Sequence, residues 1–108
     1  MARVLILDCD GHRGTTLTSV LERHHHHARV AATVHDALLE LAKKDPPYDV
    51  VILDLSRNRP SDWQNLDHVL TVTVQNPGGP MVLCVSDVYH GPAIKLEAER
   101  KGARLVWM

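Results

Sequence analysis

The sequence predicts an α/β protein with one doubly wound, five-stranded parallel sheet. Four short apolar runs, at residues 4–7, 50–53, 81–85 and 105–107, are continuous rather than alternating, which is typical of parallel strands buried on both faces. A shorter and more polar run at residues 29–32 suits a strand at the edge of the sheet. The segments between the runs show helical periodicity, so right-handed crossovers give the flavodoxin-like strand order 2-1-3-4-5.

The first two helices are predicted from their apolar spacing and from the residues at their ends. The first begins near Thr15. Thr33 and Asp36 have the spacing of a capping box, which marks the start of the second helix. This helix ends before the Asp-Pro-Pro segment at residues 45–47, because proline cannot continue it.

The last two helices are predicted in the same way. Ser61 and Gln64 have capping-box spacing and mark the start of the third helix. The Thr-Val-Thr-Val segment at residues 71–74 competes with this helix, because it is β-branched and alternates like a strand. Pro92 fits the first turn of the fourth helix and Gly102 fits its end, and the pattern contains no helix after the fifth strand.

The composition limits the class of protein. A length of 108 residues and a hydrophobic content of 44% support a single domain over residues 1–108, and its core is aliphatic because phenylalanine is absent. A net charge of −1 argues against direct nucleic-acid binding, and the apolar runs are too short to span a membrane. The sequence lacks the layout of a signal peptide and its two cysteines do not make a disulfide scaffold, so we expect a cytoplasmic protein.

Chemically active side chains follow three of the predicted strands at the points where these strands end. They are Asp8, Cys9, Asp10, Asp54 and Ser86. The carboxyl ends of parallel strands meet at one edge of a sheet, which is where ligands bind in doubly wound folds. Neighbouring carboxylates repel unless one is protonated or a cation neutralises them, and oxygen ligands favour Mg²⁺ or Ca²⁺. The spacing alone is equally compatible with aspartates that only end strands and cap loops.

Four segments of the sequence resemble a response-regulator receiver domain of two-component signalling. They are residues 3–10 (Arg-Val-Leu-Ile-Leu-Asp-Cys-Asp), residues 48–55 (Tyr-Asp-Val-Val-Ile-Leu-Asp-Leu), residues 82–86 (Val-Leu-Cys-Val-Ser) and residues 101–103 (Lys-Gly-Ala). The resemblance covers nearly the whole chain and keeps the order of the elements, and residues 48–55 are its most specific part. It implies a signalling domain of a phosphorelay rather than an enzyme.

The resemblance also implies roles for the residues at the strand ends. Asp54 would accept a phosphoryl group from the phosphohistidine of a partner histidine kinase or phosphotransfer protein. Asp8, Asp54 and the backbone carbonyl of Ser56 would hold Mg²⁺, with Asp10 as a further candidate ligand. Ser86 would supply the hydroxyl that moves to the phosphoryl oxygen.

The sequence departs from the family in three respects. The family has a second acid directly after the first, where this chain has Cys9. A thiol is a poor ligand for a hard ion, so either Asp10 would have to reach the ion or Mg²⁺ would bind weakly. The loop after the third strand has Asn58 and Asp62 where the family has a proline and a glycine. The family's phosphate-pairing lysine would fall one residue beyond Met108.

Two hypotheses follow from these departures. In the first, the chain is a receiver, atypical or cut from a longer protein, in which phosphorylation of Asp54 is impaired. In the second, it is a docking or dimerisation module that works without phosphorylation. We expect uncovered apolar surface near Val106 and Trp107, which favours a partner or a homodimer through the fourth helix and the fifth strand.

A third hypothesis comes from the enzyme class. The Leu-Asp-Cys-Asp-Gly segment at residues 7–11 also fits the Asp-x-Asp-Gly motif of haloacid-dehalogenase-like phosphatases. Asp8 would then be the nucleophile and Asp10 the general acid. The lysine and the further acidic pair of that family do not follow downstream, so the receiver resemblance is the better match.

Four consecutive histidines, His24, His25, His26 and His27, lie between the first helix and the second strand. This position is at the opposite end of the sheet from the acidic residues. Neighbouring imidazoles can chelate Ni²⁺, Zn²⁺ or Cu²⁺, but a structural zinc site draws its ligands from separate elements. We therefore expect an exposed polar loop here.

Overall fold

The computed structural model of the protein describes residues 1–11, 13–43, 46–74, 79–86 and 92–107. Strands and helices alternate through these residues as β1 (Arg3–Leu7), α1 (Gly14–Arg23), β2 (His27–Ala31), α2 (Val34–Ala42), β3 (Val50–Asp54), α3 (Pro60–Val74), β4 (Met81–Ser86), α4 (Pro92–Lys101) and β5 (Arg104–Trp107). The strands form one parallel sheet in the order β2-β1-β3-β4-β5. The predicted fold class and strand order are therefore confirmed.

Helices cover both faces of the sheet, because successive strand residues point to opposite sides. The helices α2, α3 and α4 contribute to the larger core, in which Leu5 of β1 and Leu66 of α3 are fully buried. On the other face Leu17 of α1 packs with Ile6 and Ile52. As predicted, the buried apolar side chains in the described part of the chain are aliphatic, apart from Tyr48 and Cys84. Among the described residues, no helix is long and apolar enough to cross a membrane.

The polar run predicted as an edge strand is β2, which lies at the edge of the sheet and begins at His27 rather than at residue 29. At the opposite edge, Val106 of β5 is 41% exposed, as expected for the apolar surface there. The side chain of Trp107 lies outside the described part of the structure.

Residues at the helix ends behave largely as the sequence predicts. The Thr33 hydroxyl accepts a hydrogen bond of 3.1 Å from the Asp36 N–H, which confirms the predicted cap of α2. Gly102 ends α4 with a φ of 108°, a left-handed conformation that favours glycine. The helix α1 begins at Gly14, one residue before the predicted position.

The start of α3 corrects one detail of the sequence analysis. The helix begins at Pro60, whose fixed φ and missing N–H suit the first helical position. The Asp62 carboxylate, rather than Gln64, reaches back and accepts a hydrogen bond of 3.1 Å from the Arg59 N–H. The predicted capping residues are therefore wrong, because Arg59 and Asp62 supply the same contact two residues earlier than Ser61 and Gln64.

The strand-like pattern at residues 71–74 does not form a strand, because these residues continue α3. The Thr71 hydroxyl donates to the Asp67 carbonyl at 2.8 Å, and the Thr73 hydroxyl donates to the Leu70 carbonyl at 3.3 Å. These bonds within the helix satisfy the polar groups of β-branched residues. Packing of one helical face on the sheet outweighs their weak strand preference.

We expect Leu66→Ala to lower the free energy of unfolding by about 2–5 kcal/mol, because the substitution opens a cavity beneath α3. Leu66 is 0% exposed, whereas Leu96 on α4 is 67% exposed. The control variant Leu96→Ala therefore removes the same atoms from an exposed position. The control should change stability by less than about 0.5 kcal/mol. Urea unfolding followed by circular dichroism measures both. Equal losses in the two variants would contradict the described core.

Candidate functional site

Three strands bring polar side chains to the carboxyl edge of the sheet. Asp8 directly follows β1, Asp54 ends β3 and Ser86 ends β4. The parallel register pairs Leu7 with Leu53 and Asp54 with Val85, so the residues that end these strands lie side by side. A small pocket at this edge is lined by Leu7, Asp8, Cys9, Asp10, Leu53, Asp54, Asp62 and Asn65. The predicted convergence of the acidic residues is therefore confirmed.

The Asp8 carboxylate caps the first turn of α1. Its Oδ2 accepts a hydrogen bond of 2.7 Å from the Gly14 N–H and one of 3.3 Å from the Arg13 N–H. The first N–H groups of a helix have no partner inside the helix, and they carry partial positive charge that favours an anion. Asp8 is 7% exposed, so this contact stabilises a carboxylate that water barely reaches. Asp8 thus caps the start of α1, and the alternative that Asp8 and Asp54 only end strands and cap loops stays a prediction.

Gly14 is required for the close approach of α1 to Asp8. A Cβ at this position would lie 2.9 Å from the Asp8 Oδ2 and 3.0 Å from a methyl group of Val30. Both distances are shorter than normal van der Waals contacts. Gly14 is not among the predicted site residues, although a glycine in the first turn of a helix is a usable signal for such an approach.

The Asp54 carboxylate is neutralised by Arg13. The Arg13 Nε donates to the Asp54 Oδ2 at 3.1 Å, and the Ser56 N–H donates to the Asp54 Oδ1 at 2.8 Å. The guanidinium extends to the Ser56 hydroxyl, with 3.5 Å between Nη2 and Oγ. The two side chains of the ion pair are only 13% and 16% exposed. The positive charge beside the predicted phosphoryl acceptor therefore comes from the chain itself.

Asp10 belongs to a second ion-pair cluster beside the first. Its Oδ2 lies 2.6 Å from the Arg59 Nη2 and 3.6 Å from the Arg57 Nε. Arg59 also pairs with Asp62 at 3.2 Å, and the hydrogen bonds that its guanidinium donates to Asp62 and Asp10 raise its pKa. Asp8 and Asp10, which the phosphatase hypothesis would direct at one phosphate, are thus bound by different partners.

Cys9 lies between these two clusters. Its Sγ is 3.6 Å from the Asn65 Nδ2, and burial raises the pKa of its thiol, with smaller contributions from Asp10 and Asp62. A thiol with a raised pKa remains protonated at neutral pH. The residue in the position of the family's second acid therefore adds no negative charge to the site.

The residues at this edge do not fit a magnesium site in the arrangement found here. The Asp8 Oδ2 accepts two backbone N–H groups, and the Asp54 Oδ2 accepts from Arg13. Cys9 presents sulfur where a hard ion needs oxygen. Within the described ranges, no group of three or more His, Cys, Asp or Glu side chains could hold a metal ion. The Mg²⁺ ligand assignment stays a prediction for Asp8, Asp10, Asp54 and the Ser56 carbonyl.

Ser86 and the histidines lie where the sequence places them. Ser86 is 1% exposed at the end of β4, and its movement towards a phosphoryl oxygen stays a prediction. The histidines lie at the amino end of β2, opposite the acidic edge, and His24, His25 and His27 are exposed, as expected. His26 is half-buried, and its Nδ1 accepts a hydrogen bond of 2.9 Å from the Ala2 N–H.

Solved structures with the same arrangement of strands and helices are response-regulator receiver domains. A receiver domain of a Francisella response regulator superposes with a TM-score of 0.76 at 20% identity, over 99% of this chain and 84% of that one. A Thermotoga maritima response regulator gives 0.80 at 16% identity, over 99% and 84% of the two chains. The chemotaxis protein CheY4 of Vibrio cholerae gives 0.75 at 22% identity, over 100% and 85%. The chain has the receiver-domain fold.

At the level of sequence, no family model and no curated protein matches this chain. The identities to the solved receiver domains are low, so they establish the fold and leave the chemistry to be argued from the residues of this chain. Within the receiver fold, Asp54 occupies the end of the third strand, as the resemblance predicts.

We expect Gly14→Ala to destabilise the receiver fold. Alanine ordinarily stabilises a helix by about 1 kcal/mol relative to glycine, but here its Cβ would collide with Asp8 and Val30. Forcing an extra methyl group into a packed site typically costs about 1–3 kcal/mol, so a net loss should result. Thr15→Ala, at the next and exposed position of α1, is the matched control and should cause no loss. A thermal melt in which Gly14→Ala is as stable as wild type would contradict the close approach.

We also expect Asp10→Asn to accelerate alkylation of Cys9 by iodoacetamide by at least about twofold at mildly alkaline pH. The substitution removes a charge that raises the pKa of Cys9, and thus increases the thiolate fraction. Cys84 should not interfere, because burial raises the pKa of its thiol to about 12. Asp67→Asn, which removes an exposed carboxylate of α3, is the control. Alkylation of Asp10→Asn at or below the wild-type rate would show that Asp10 does not act on Cys9.

Proposed function

We propose that this domain is a signalling receiver in which Asp54 accepts a phosphoryl group at a strongly reduced rate. The donor would be the phosphohistidine of a partner histidine kinase or phosphotransfer protein in the cytoplasm. An Asp54 oxygen would form the new P–O bond as the P–N bond breaks, and the histidine nitrogen would keep the bonding electrons. Ser86, at the end of the adjacent strand β4, would then turn its hydroxyl towards the phosphoryl oxygens.

The Arg13–Asp54 ion pair is the observation that carries this proposal. It supports a reactive carboxylate at the edge of the sheet, because the side chain is partly exposed and a cation lies beside it to attract an anionic donor. It also explains the reduced rate. The hydrogen bond from the Arg13 Nε, at 3.1 Å, withdraws electron density from the Asp54 Oδ2 and weakens it as a nucleophile towards phosphorus.

Two further features support impaired transfer. The thiol of Cys9 replaces an acid that the family uses, and Asp10, the predicted substitute for that acid, is bound by Arg59. These features are independent of the length of the chain. Similarity of fold to signalling proteins favours this function over that of a phosphatase.

A phosphorylation-independent docking or dimerisation module is the second candidate. Exposed apolar side chains favour it, since Leu96 of α4 is 67% and Val106 of β5 is 41% exposed on neighbouring elements. A homodimer through α4 and β5 would cover both. In this case Asp54 would be a structural residue that holds Arg13 and the loop at Ser56 in place.

Incubation with acetyl phosphate and Mg²⁺, followed by mass spectrometry of the intact protein and its peptides, tests the proposal. We expect slow gain of one phosphoryl group on Asp54, absent in Asp54→Asn and unchanged in Asp67→Asn. Faster gain in Arg13→Gln than in wild type would support the ion pair as the cause of the low rate.

Three outcomes would contradict the proposal. If wild type shows no adduct after prolonged incubation and sediments as a dimer, the docking module replaces the receiver. If wild type and Arg13→Gln are modified equally fast, Arg13 does not limit the transfer. If the protein hydrolyses a generic phosphate ester with turnover, lost in Asp8→Asn but kept in Asp54→Asn, the phosphatase hypothesis returns.

A further inference from the structure

We propose that Arg13 is the built-in counter-ion of this site and takes the place of a divalent cation between Asp8 and Asp54. The inference deepens the proposed function, and it rests on that function only for the phosphoryl group that Arg13 would meet. It makes a separate claim about the unmodified protein. Charge neutrality at the acidic edge should be independent of Mg²⁺ as long as Arg13 is present.

Arg13 contacts both carboxylates from one residue. Its backbone N–H lies 3.3 Å from the Asp8 Oδ2, and its side-chain Nε lies 3.1 Å from the Asp54 Oδ2. A divalent ion would have to bridge the same two strand ends. The guanidinium supplies a positive charge to Asp54, while the backbone N–H groups of Arg13 and Gly14 stabilise Asp8. Together they meet the requirement that the sheet creates when two neighbouring strands each end in an aspartate.

The fold holds the guanidinium in this position through its backbone. Arg13 directly precedes α1, and its carbonyl accepts the Leu17 N–H at 2.9 Å as the first helical hydrogen bond. The neighbouring Gly14 is tied to Asp8 at 2.7 Å. The backbone of Arg13 is therefore already ordered, so only its side chain, which is 13% exposed, has to be ordered when the ion pair forms.

The positive charge of Arg13 disfavours binding of a metal ion next to Asp54. A guanidinium stays charged at all accessible pH values, so it repels a divalent cation placed against the same carboxylate. Cys9 offers no hard oxygen to offset that repulsion. Mg²⁺ therefore competes with the Arg13 side chain for Asp54, and the loss of the ion pair weakens the net binding of the metal.

The same geometry suits an anion. A planar guanidinium forms paired hydrogen bonds with carboxylate and phosphoryl oxygens. A phosphoryl group on Asp54 would place its oxygens near the Arg13 guanidinium and the Ser56 hydroxyl. The Arg13 Nη2 and the Ser56 Oγ already lie 3.5 Å apart. Arg13 would thus remain the partner of Asp54 before and after modification.

Thermal unfolding in the presence and absence of Mg²⁺, without any phosphoryl donor, tests the inference on the full chain. We expect Mg²⁺ to leave the wild-type Tm unchanged. The variant Arg13→Gln removes the cation beside the two carboxylates. In the absence of Mg²⁺, its Tm should therefore be lower than that of the wild type. Mg²⁺ in roughly tenfold excess over its dissociation constant should then restore roughly 5–10 °C. Arg13→Lys keeps the charge and should behave like wild type.

The control is Arg100→Gln, which removes an exposed arginine paired with Glu97 on α4, far along the chain from this site. It should show no Mg²⁺ response. A rise of the wild-type Tm equal to that of Arg13→Gln would overturn the inference, and so would an Arg13→Gln variant that Mg²⁺ does not stabilise. If Arg13→Gln does not fold, the wild type decides, since any Mg²⁺-dependent stabilisation of it contradicts a built-in counter-ion. Failure of phosphorylation would leave these results unaffected, so the two proposals fail separately.

Discussion

A parallel sheet that ends two adjacent strands in aspartate must supply positive charge at that edge. The register of β1 against β3 places Leu7 beside Leu53, and the next residues, Asp8 and Asp54, cannot move apart without breaking the sheet. Neither carboxylate can rely on bulk water, because one is 7% exposed as a residue and the other 16% as a side chain. The start of α1 and the side chain of Arg13 both meet this requirement.

Much of the fold is readable from the sequence because its signals are local. Continuous apolar runs and helical spacing identify the strands and helices, and parallel pairing then brings Asp54 and Ser86 to one edge. The long-range pairs are not readable, since Arg13 reaches Asp54 across 41 residues and Arg59 reaches Asp10 across 49. Tertiary packing sets these distances. Residues 71–74 show the same limit, because their strand preference depends on surroundings that the sequence does not display.

Arginines of the chain lie beside at least three of the four aspartates at the acidic edge. Arg13 pairs with Asp54, Arg59 pairs with both Asp10 and Asp62, and the protonated thiol of Cys9 adds no charge. A site built from acids alone would attract a metal ion, whereas a site with its own guanidinium groups has room for added negative charge. The family resemblance therefore predicts a metal ion at this edge, whereas the local chemistry favours an added anion. The sequence identity to the solved receiver domains is low, at 20% and 22% for two of them.

A counter-ion that belongs to the chain changes how a signal at Asp54 could spread. An exchangeable ion leaves the protein, but Arg13 is fixed to the first turn of α1, and its neighbour Gly14 is held by Asp8 at 2.7 Å. Added charge on Asp54 can therefore draw on the Arg13 side chain without displacing α1. The response would then be confined to the ends of β3 and β4, where Ser86 lies, and to the surface of α4 and β5 beyond them. Leu96 and Val106 are exposed there, and Val106 pairs with Val85, which in turn pairs with Asp54, so the strand register connects this surface to the acidic edge.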